Sequence, residues 1–260
     1  MPQLKIAVQS RNFRLPLKLA LAKAAQLGAS GVEIDARAEL KPADMSRTAV
    51  RQFRKLLDDL GLRVAALGFQ TRSGYNVAEK LDQRVAATKE AMKLAHDLGA
   101  AVVVNQIGRV PAKPEGREWT LLVEVLADLG RFGQHVGAWL AAETGSESGA
   151  DLARLIAALP AGSLGVNLDP GNLIINGFSP LEAIDELGPS IVHVHAKDAV
   201  RDLAQGRGVE VPLGRGAADF PALLGALEEH GYRGYFTVER QRSEDPERES
   251  ALAIQYLRSL

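Results

Sequence analysis

The chain has 260 residues, and its 31 lysines and arginines nearly balance its 32 aspartates and glutamates, for a formal net charge of -1. A near-neutral charge without a basic block argues against nucleic acid or an anionic membrane as the main partner. The sequence contains no cysteine, which excludes disulfides, thiolate nucleophiles, cysteine zinc sites and iron–sulfur clusters. Any bound metal ion must therefore be held by histidine and carboxylate side chains.

The first residues, 1–6, enter a strand-like run directly and lack the apolar core of a signal peptide. No apolar stretch approaches the roughly 20 residues that are needed to cross a bilayer. We therefore expect a cytoplasmic enzyme with one domain that covers residues 1–260.

Short strand-like runs recur along the whole chain. Most are rich in Val, Ile and Leu without strict polar alternation, which is typical of parallel strands that are buried on both faces. The predicted strands are residues 4–9, 31–35, 62–67, 100–105, 137–143, 163–169, 190–195 and 234–239.

Segments with helical periodicity lie between these strands. Examples are residues 16–27, 46–60 and 78–98, and residues 250–260 form a closing helix. Eight strands that alternate with about eight helices predict an α/β fold, a closed (β/α)8 TIM barrel in a single domain. An open doubly wound sheet is the alternative, but the Gly-rich phosphate turn that it requires is missing after Gln9.

The longest irregular segments are predicted at residues 68–76, 108–117 and 199–218, and each follows a strand. In a TIM barrel, the loops after the strands form the catalytic face. We therefore look for the functional site at the carboxyl ends of the strands.

Four successive strands end in side chains that can bind a metal ion: Glu143, Asp169, His195 and Glu239. A single glutamate at such a position is usually a helix cap or an ion-pair partner. Three carboxylates that crowd together repel one another, and a cation relieves this repulsion. The oxygen-rich set predicts one divalent ion, with Mn²⁺, Mg²⁺ or Co²⁺ favoured and Zn²⁺ also compatible.

Several motifs resemble the xylose isomerase-like TIM barrel superfamily, which includes sugar phosphate isomerases and epimerases, ketose 3-epimerases, inosose dehydratase and hydroxypyruvate isomerase. They are found at residues 31–34 (GVEI), 140–143 (LAAE), 166–172 (VNLDPGN), 193–198 (HVHAKD), 211–216 (VPLGRG) and 231–239 (GYRGYFTVE). The resemblance implies that Glu143, Asp169, His195 and Glu239 ligate one divalent metal. It also implies that the two glutamates act as acid and base.

One position departs from the family pattern. Many members carry a histidine three residues after the aspartate, where this chain has Asn172. Asparagine can hydrogen-bond a substrate hydroxyl but does not titrate near neutral pH. The exact substrate and reaction therefore stay open.

Further residues are predicted to bind substrate. Lys197 and Arg240 either orient the substrate or pair with a ligand carboxylate, and His193 lies beside the predicted ligand His195. We expect Glu33 to line the pocket rather than to pair with Arg11 or Arg37.

The segment Gly214-Arg215-Gly216 precedes a helix start. Its backbone N–H groups together with Arg215 could hold a phosphate. A tight turn that simply begins the helix is the simpler interpretation of so short a signal.

The predicted chemistry is proton transfer on a small sugar, sugar phosphate or polyol. A metal ion that is chelated by a carbonyl and an adjacent hydroxyl acidifies the neighbouring C–H. Glu143 and Glu239 lie on non-adjacent strands, so one can remove the proton while the other returns it. The sequence therefore predicts a metal-dependent isomerase or epimerase, and it carries no signal for the oligomeric state.

Two other functions stay open: a lyase like inosose dehydratase, and a sugar-binding barrel that keeps the metal without catalysis. The superfamily's trinuclear zinc endonucleases are excluded, because they need more histidines than this chain supplies. It has five, and we interpret His96, His135 and His230 as structural or surface residues. The chain also lacks a basic groove for nucleic acid.

Overall fold

The computed structural model describes residues 4–202 and 207–260. The strands are β1 (Lys5–Gln9), β2 (Gly31–Asp35), β3 (Arg63–Gly68), β4 (Val102–Asn105), β5 (Trp139–Glu143), β6 (Gly165–Leu168), β7 (Ile191–Ala196), β8 (Asp198–Asp202), β9 (Arg207–Val211) and β10 (Tyr235–Val238). The helices are α1 (Leu17–Gln26), α2 (Arg47–Asp59), α3 (Leu81–Asp97), α4 (Arg117–Val136), α5 (Gly149–Ala157), α6 (Pro170–Ile175), α7 (Pro180–Leu187), α8 (Phe220–Glu229) and α9 (Pro246–Arg258).

Eight parallel strands close into a barrel in the order β1-β10-β7-β6-β5-β4-β3-β2. Their apolar residues are buried on both faces, which explains the lack of polar alternation in the sequence. The prediction of a (β/α)8 TIM barrel is confirmed.

The predicted helices are present with small shifts at their ends. Ser46 precedes α2, and its side chain accepts a hydrogen bond from Ala49 N, as expected for an N-cap. The closing helix α9 begins at Pro246, four residues earlier than predicted, because Asp245 caps it by accepting from Arg248 N. No helix within the described ranges is long and apolar enough to span a bilayer.

The irregular segment predicted at residues 199–218 needs correction. Strands β8 and β9 pair antiparallel there, outside the barrel sheet, with Val200 opposite Val209. Residues 203–206 of the segment lie outside the described part of the chain. The hairpin was missed because its strands lack the continuous apolar run of the barrel strands and include Asp198, Arg201 and Glu210. As a result, β10 is the eighth strand of the barrel.

Two apolar clusters stabilise the fold. The larger one fills the space between the strands and the surrounding helices, with side chains such as Leu21, Ile34, Leu140 and Phe236. A smaller, separate cluster consists of Ala66, Val102, Val104 and Ala141. Because side chains alternate along a strand, Glu143 lies on the same face of β5 as Ala141. Strand β5 therefore contributes Ala141 to the small cluster and carries Glu143 at its carboxyl end.

Candidate metal centre and active site

Four side chains from successive barrel strands meet at the carboxyl ends of the strands. Glu143, Asp169, His195 and Glu239 are all buried, and each offers one ligand atom within 4.8 Å of the others. His195 Nδ1 lies 2.7 Å from Glu239 Oε2, 3.3 Å from Glu143 Oε1 and 3.8 Å from Asp169 Oδ2. The structure thus brings together the four residues that the sequence singled out.

Asp169 is positioned by the junction of β6 and α6. Its Oδ1 atom caps α6 by accepting a 2.8 Å hydrogen bond from Asn172 N, and its own backbone N donates to Thr144 Oγ1 at 2.8 Å. Its other oxygen, Oδ2, is thereby directed towards His195. The aspartate therefore lies just after the strand rather than inside it, one residue beyond the observed end of β6.

The donor set fits a divalent cation. Asp169 Oδ2 and Glu239 Oε2 are buried and form no well-aligned hydrogen bond within residues 4–202 and 207–260, although His195 Nδ1 lies 2.7 Å from Glu239 Oε2. Buried carboxylate oxygens without a partner are costly unless a cation compensates them. Three carboxylates and one imidazole are a ligand set that suits a hard or borderline divalent metal.

Lys197 supplies a buried positive charge beside this cluster. Its Nζ atom donates to Asn172 Oδ1 at 3.0 Å and lies 3.5 Å from both Asp169 Oδ2 and Glu239 Oε1. A Cβ atom on Gly171 would lie 2.6 Å from the Lys197 Cγ atom, so only glycine permits this approach. The lysine therefore pairs with candidate ligand carboxylates.

The pKa values of Glu143, Glu239, His195 and Lys197 depart from their usual values. Burial raises the pKa of Glu143, and the carboxylates of Glu239 and Asp169 raise it further. Burial alone would raise the pKa of Glu239, but His195 and Lys197 lower it. Burial would lower the pKa values of His195 and Lys197, but the surrounding carboxylates raise both above their usual values. Opposite shifts on two neighbouring glutamates are a pattern that acid–base sites use.

A second layer of polar contacts lies behind His195. Glu33 Oε2 is 2.9 Å from His195 Nε2 and 3.0 Å from His193 Nε2, and Glu33 Oε1 accepts from Gln9 Nε2 at 3.0 Å. His193 Nε2 also lies 3.0 Å from Thr237 Oγ1. Burial would raise the pKa of Glu33, but the two histidines lower it, so this carboxyl is ionised.

A cavity of about 560 Å³ opens above the cluster. Three of its glutamine side chains each donate to a site glutamate: Gln9 to Glu33, Gln70 to Glu143 at 2.8 Å and Gln241 to Glu239 at 2.6 Å. Sequence reasoning missed all three. Two of them stand at positions that the rule of polar residues at strand ends marks: Gln9 at the end of β1 and Gln70 just after β3.

Arg240 has a different environment from the one expected. It lines the cavity, but its guanidinium pairs with Glu210 Oε1 at 2.9 Å and with Glu249 Oε2 at 2.5 Å. Neither partner is a candidate metal ligand. Arg240 thus connects strand β9 of the hairpin to helix α9 instead of pairing with a ligand carboxylate.

The turn around Arg215 does not offer free backbone N–H groups to a phosphate. Asp198 Oδ2 accepts from Gly214 N at 3.0 Å and Gly216 N at 2.8 Å, and its Oδ1 accepts from Ala218 N at 3.0 Å. The Arg215 side chain is exposed. Of the two interpretations, the structure supports the tight turn over the phosphate site, because a carboxylate of the chain itself already occupies these donors.

The remaining predicted residues are spread over two environments. Glu33 lines the cavity, and Arg11 pairs with Asp35 instead of Glu33. His96, His135 and His230 are exposed residues in or next to the outer helices.

The closed barrel and its buried carboxylate–histidine cluster define a TIM-barrel protein with a metal-competent centre at the strand ends. The model of the xylose isomerase-like TIM barrel family matches residues 21–260. The chain belongs to this family, which confirms the resemblance seen in its motifs.

Relatives with names and solved structures are similar over most of the chain. The rhizopine catabolism protein MocC of Rhizobium meliloti is 26% identical over 87% of this chain and 75% of its own length. An inosose dehydratase of Bacillus thuringiensis is 26% identical over 73% of this chain and 72% of its own length. The structure of a xylose isomerase domain protein from Planctomyces limnophilus has a TM-score of 0.86 at 28% identity, covering 99% of this chain and 97% of that chain.

Proposed function

We propose that this protein is a divalent-metal-dependent isomerase or epimerase of a sugar or sugar phosphate, in which Glu143 and Glu239 transfer the proton. One observation carries the proposal: both glutamates line the same cavity and both approach His195 Nδ1, at 3.3 and 2.7 Å. The site thus combines two proton-transfer groups with a cluster that fits a metal.

Glu143, Asp169, His195 and Glu239 would hold the ion, with Mn²⁺, Mg²⁺ or Co²⁺ favoured over Zn²⁺. When bound, such an ion supplies the positive charge that stabilises an enediolate developing on the substrate. Lys197 lies beside the same carboxylates, so the lysine and a divalent ion together would balance the three negative charges.

The two glutamates reach the cavity from different sides. In the barrel, β6 and β7 separate β5 from β10, so Glu143 and Glu239 can face opposite sides of a small substrate. One carboxylate removes the proton next to the carbonyl, and the other carboxyl group returns a proton, which inverts a centre or moves the carbonyl. The half-buried Asn172 is proposed to bind a substrate hydroxyl near Glu143, to which its Nδ2 donates at 3.4 Å.

Dehydration of a cyclic polyol is the second candidate. It is favoured by the relatives that are named inosose dehydratases, at 25–26% identity. The reaction starts with the same proton abstraction and differs in the loss of a neighbouring hydroxyl as water. The choice between the two reactions therefore depends on whether a hydroxyl leaves after the proton is removed.

Proton NMR in D₂O tests both candidates on ketoses, aldoses and inososes in the presence of Mn²⁺, which is removed before the spectra are recorded. Deuterium incorporation without loss of water supports epimerisation or isomerisation, whereas loss of water supports dehydration. Glu143→Gln and Glu239→Gln should each abolish turnover.

Glu147→Gln is the matched control, because Glu147 is also buried but bonds only to Ser146 and Val110 among the described residues. Full activity of the Glu239→Gln variant would show that Glu239 does not take part in proton transfer. If no sugar or polyol in the panel exchanges a proton or loses water, the enzyme proposal fails.

A further inference from the structure

Glu33 lines the cavity, and protein groups contact both of its carboxylate oxygens. Oε1 accepts from Gln9 Nε2, and Oε2 contacts His193 Nε2 and His195 Nε2. Only 4% of the residue is exposed. Oε2, which contacts both histidines, is thus held within the protein, although the sequence suggested a substrate contact for Glu33.

The backbone around Glu33 orients its side chain. The parallel pairing of β2 and β3 shifts by one residue between Val32 and Glu33, so Val32 lies opposite Val64 while Glu33 lies opposite Ala66. Such irregularities re-aim a side chain and are common next to active sites. The backbone oxygen of Glu33 also accepts from Ser10 Oγ at 3.1 Å, which fixes the strand at this point.

The contacts of Glu33 determine which nitrogen of His195 carries a hydrogen. An ionised carboxylate can only accept hydrogen bonds, so the His195 Nε2 atom at 2.9 Å must be the donor. A histidine that ligates a metal ion is neutral and has one N–H group, so with hydrogen on Nε2 the Nδ1 atom would bind the ion. Nδ1 faces the oxygens of Glu143, Asp169 and Glu239, the other proposed ligands.

We propose that Glu33 is a positioning residue that holds His195 in its Nε2-protonated form, so that Nδ1 is presented as a ligand of the metal ion. Glu33 touches neither the metal nor the substrate in this arrangement. Carboxylate–histidine pairs of this kind orient metal ligands in other proteins and increase the basicity of the ligand nitrogen. The inference rests on the proposed function, because it requires a divalent ion at the predicted cluster.

The test uses Co²⁺ alone as the probe and measures its dissociation constant by titration calorimetry. Glu33→Gln keeps the size of the side chain but loses its charge, and Co²⁺ affinity should fall by about 10- to 100-fold. Glu147→Gln removes a buried carboxylate that has no contact with His195 in the described part of the chain, and its Co²⁺ affinity should equal that of the wild type. Circular dichroism checks that each variant is folded.

Long-range proton–nitrogen NMR of the Zn²⁺-loaded wild type is a second test, and it does not depend on whether a Glu33 variant folds. It identifies the ring nitrogen of His195 that carries the hydrogen. We expect His195 with hydrogen on Nε2 and metal on Nδ1, and comparison with a His193→Gln spectrum assigns the ring. Hydrogen on Nδ1 would overturn the proposal. Glu33→Asp, which retains the charge, should bind Co²⁺ more tightly than Glu33→Gln.

The outcomes separate this inference from the proposed function. If the wild type binds Co²⁺ and Glu33→Gln binds it equally well, Glu33 has no positioning role although the metal site stands. Two ions per wild-type chain, with one lost in Glu33→Gln, would make Glu33 a ligand of a second metal and also overturn the proposal. A wild type that binds no divalent ion would overturn both.

Discussion

The side-chain amide of Gln70 donates a 2.8 Å hydrogen bond to Glu143 Oε2 while its Oε1 atom accepts from Gln106 N at 2.9 Å. Because a backbone N–H holds the oxygen end, the amide cannot flip without losing both bonds. The nitrogen end therefore stays directed at Glu143. Gln70 thus fixes Oε2 of a proposed acid–base group, whereas His195 Nδ1 lies 3.3 Å from the other oxygen, Oε1.

Replacing Gln70 with leucine should reduce turnover without abolishing it. A hydrogen bond to a charged group contributes about 1.5–3 kcal/mol, which corresponds to a fall in kcat/KM of roughly 10- to 100-fold. Deuterium exchange of the active sugar or polyol measures the effect. Gln134→Leu is the control, because Gln134 is an exposed residue of α4 whose side-chain amide donates to Ala161 O, away from the site. Equal rates for wild type and Gln70→Leu would show that Gln70 does not orient Glu143.

The barrel and the four cluster residues could be predicted because both depend on local and regular features. Buried parallel strands leave continuous apolar runs, and the carboxyl end of each strand marks a common edge. The partners of the cluster depend on how the loops fold. Gln241 follows β10 in an exposed loop, and its bond to Glu239 depends on that loop's conformation.

The alternative of a phosphate site around Arg215 is disfavoured for a similar reason. The backbone N–H groups of Gly214 and Gly216 were correctly identified as convergent donors, but the sequence does not show that Asp198 folds back to accept from them. Asp198 lies 16 residues before Gly214, and the hairpin of β8 and β9 brings the two together. Convergent donors are therefore recognisable from sequence, whereas their acceptor is set by tertiary structure.

Asp169→Asn should separate helix capping from metal binding. Asparagine caps about as well as aspartate, so its oxygen can keep the bond from Asn172 N while its amide nitrogen replaces Oδ2 in the cluster. We expect the melting temperature in EDTA to stay at or above the wild-type value, because one of the crowded carboxylates is removed. The stabilisation by Mn²⁺ should be lost.

The comparison requires a measurable metal effect in the wild type. An ion at 100 times its Kd adds about 2.7 kcal/mol of stability, or roughly 5–10 °C in melting temperature for a chain of this size. Asp169→Ala should lose this response and also about 1 kcal/mol of helix capping. A full Mn²⁺ response in Asp169→Asn would contradict the assignment of Asp169 as a ligand.

Lys197→Met should lower the stability of the metal-free protein but increase the stabilisation that Mn²⁺ provides. The ammonium group lies 3.5 Å from carboxylates of Asp169 and Glu239, so its removal leaves buried charge uncompensated and costs about 3–5 kcal/mol without metal. With the competing cation gone, Mn²⁺ should bind more tightly and raise the melting temperature by more than in the wild type. Thermal melts in EDTA and in Mn²⁺ measure both effects.

Lys23→Met provides the control for Lys197→Met, because Lys23 pairs with Glu247 at 2.7 Å on the surface. Exposed pairs contribute only about 0–1 kcal/mol, so this variant should keep the wild-type metal response. Weaker Mn²⁺ binding in Lys197→Met would show that the lysine supports the ion rather than competing with it.

Glu147→Gln should increase stability in a pH-dependent way. Burial raises the pKa of Glu147 above its ordinary value of 4.5, and Asp151 adds to this effect while hydrogen bonds from Ser146 and Val110 oppose it. The folded state therefore holds the proton more tightly than the unfolded state, so wild-type stability falls as the pH rises from 4.5 towards the folded pKa. Glutamine cannot ionise, and its advantage over glutamate should grow across that window and level off above it.

Urea unfolding of wild type and Glu147→Gln at several pH values between about 4 and 8 measures this difference. Glu115→Gln is the control, because the Glu115 side chain is 72% exposed and lies 3.8 Å from Lys113. Its stability relative to the wild type should not change across the same window. A difference between wild type and Glu147→Gln that shrinks as the pH rises would mean that the folded protein favours the ionised carboxylate, with the bonds from Ser146 and Val110 outweighing burial.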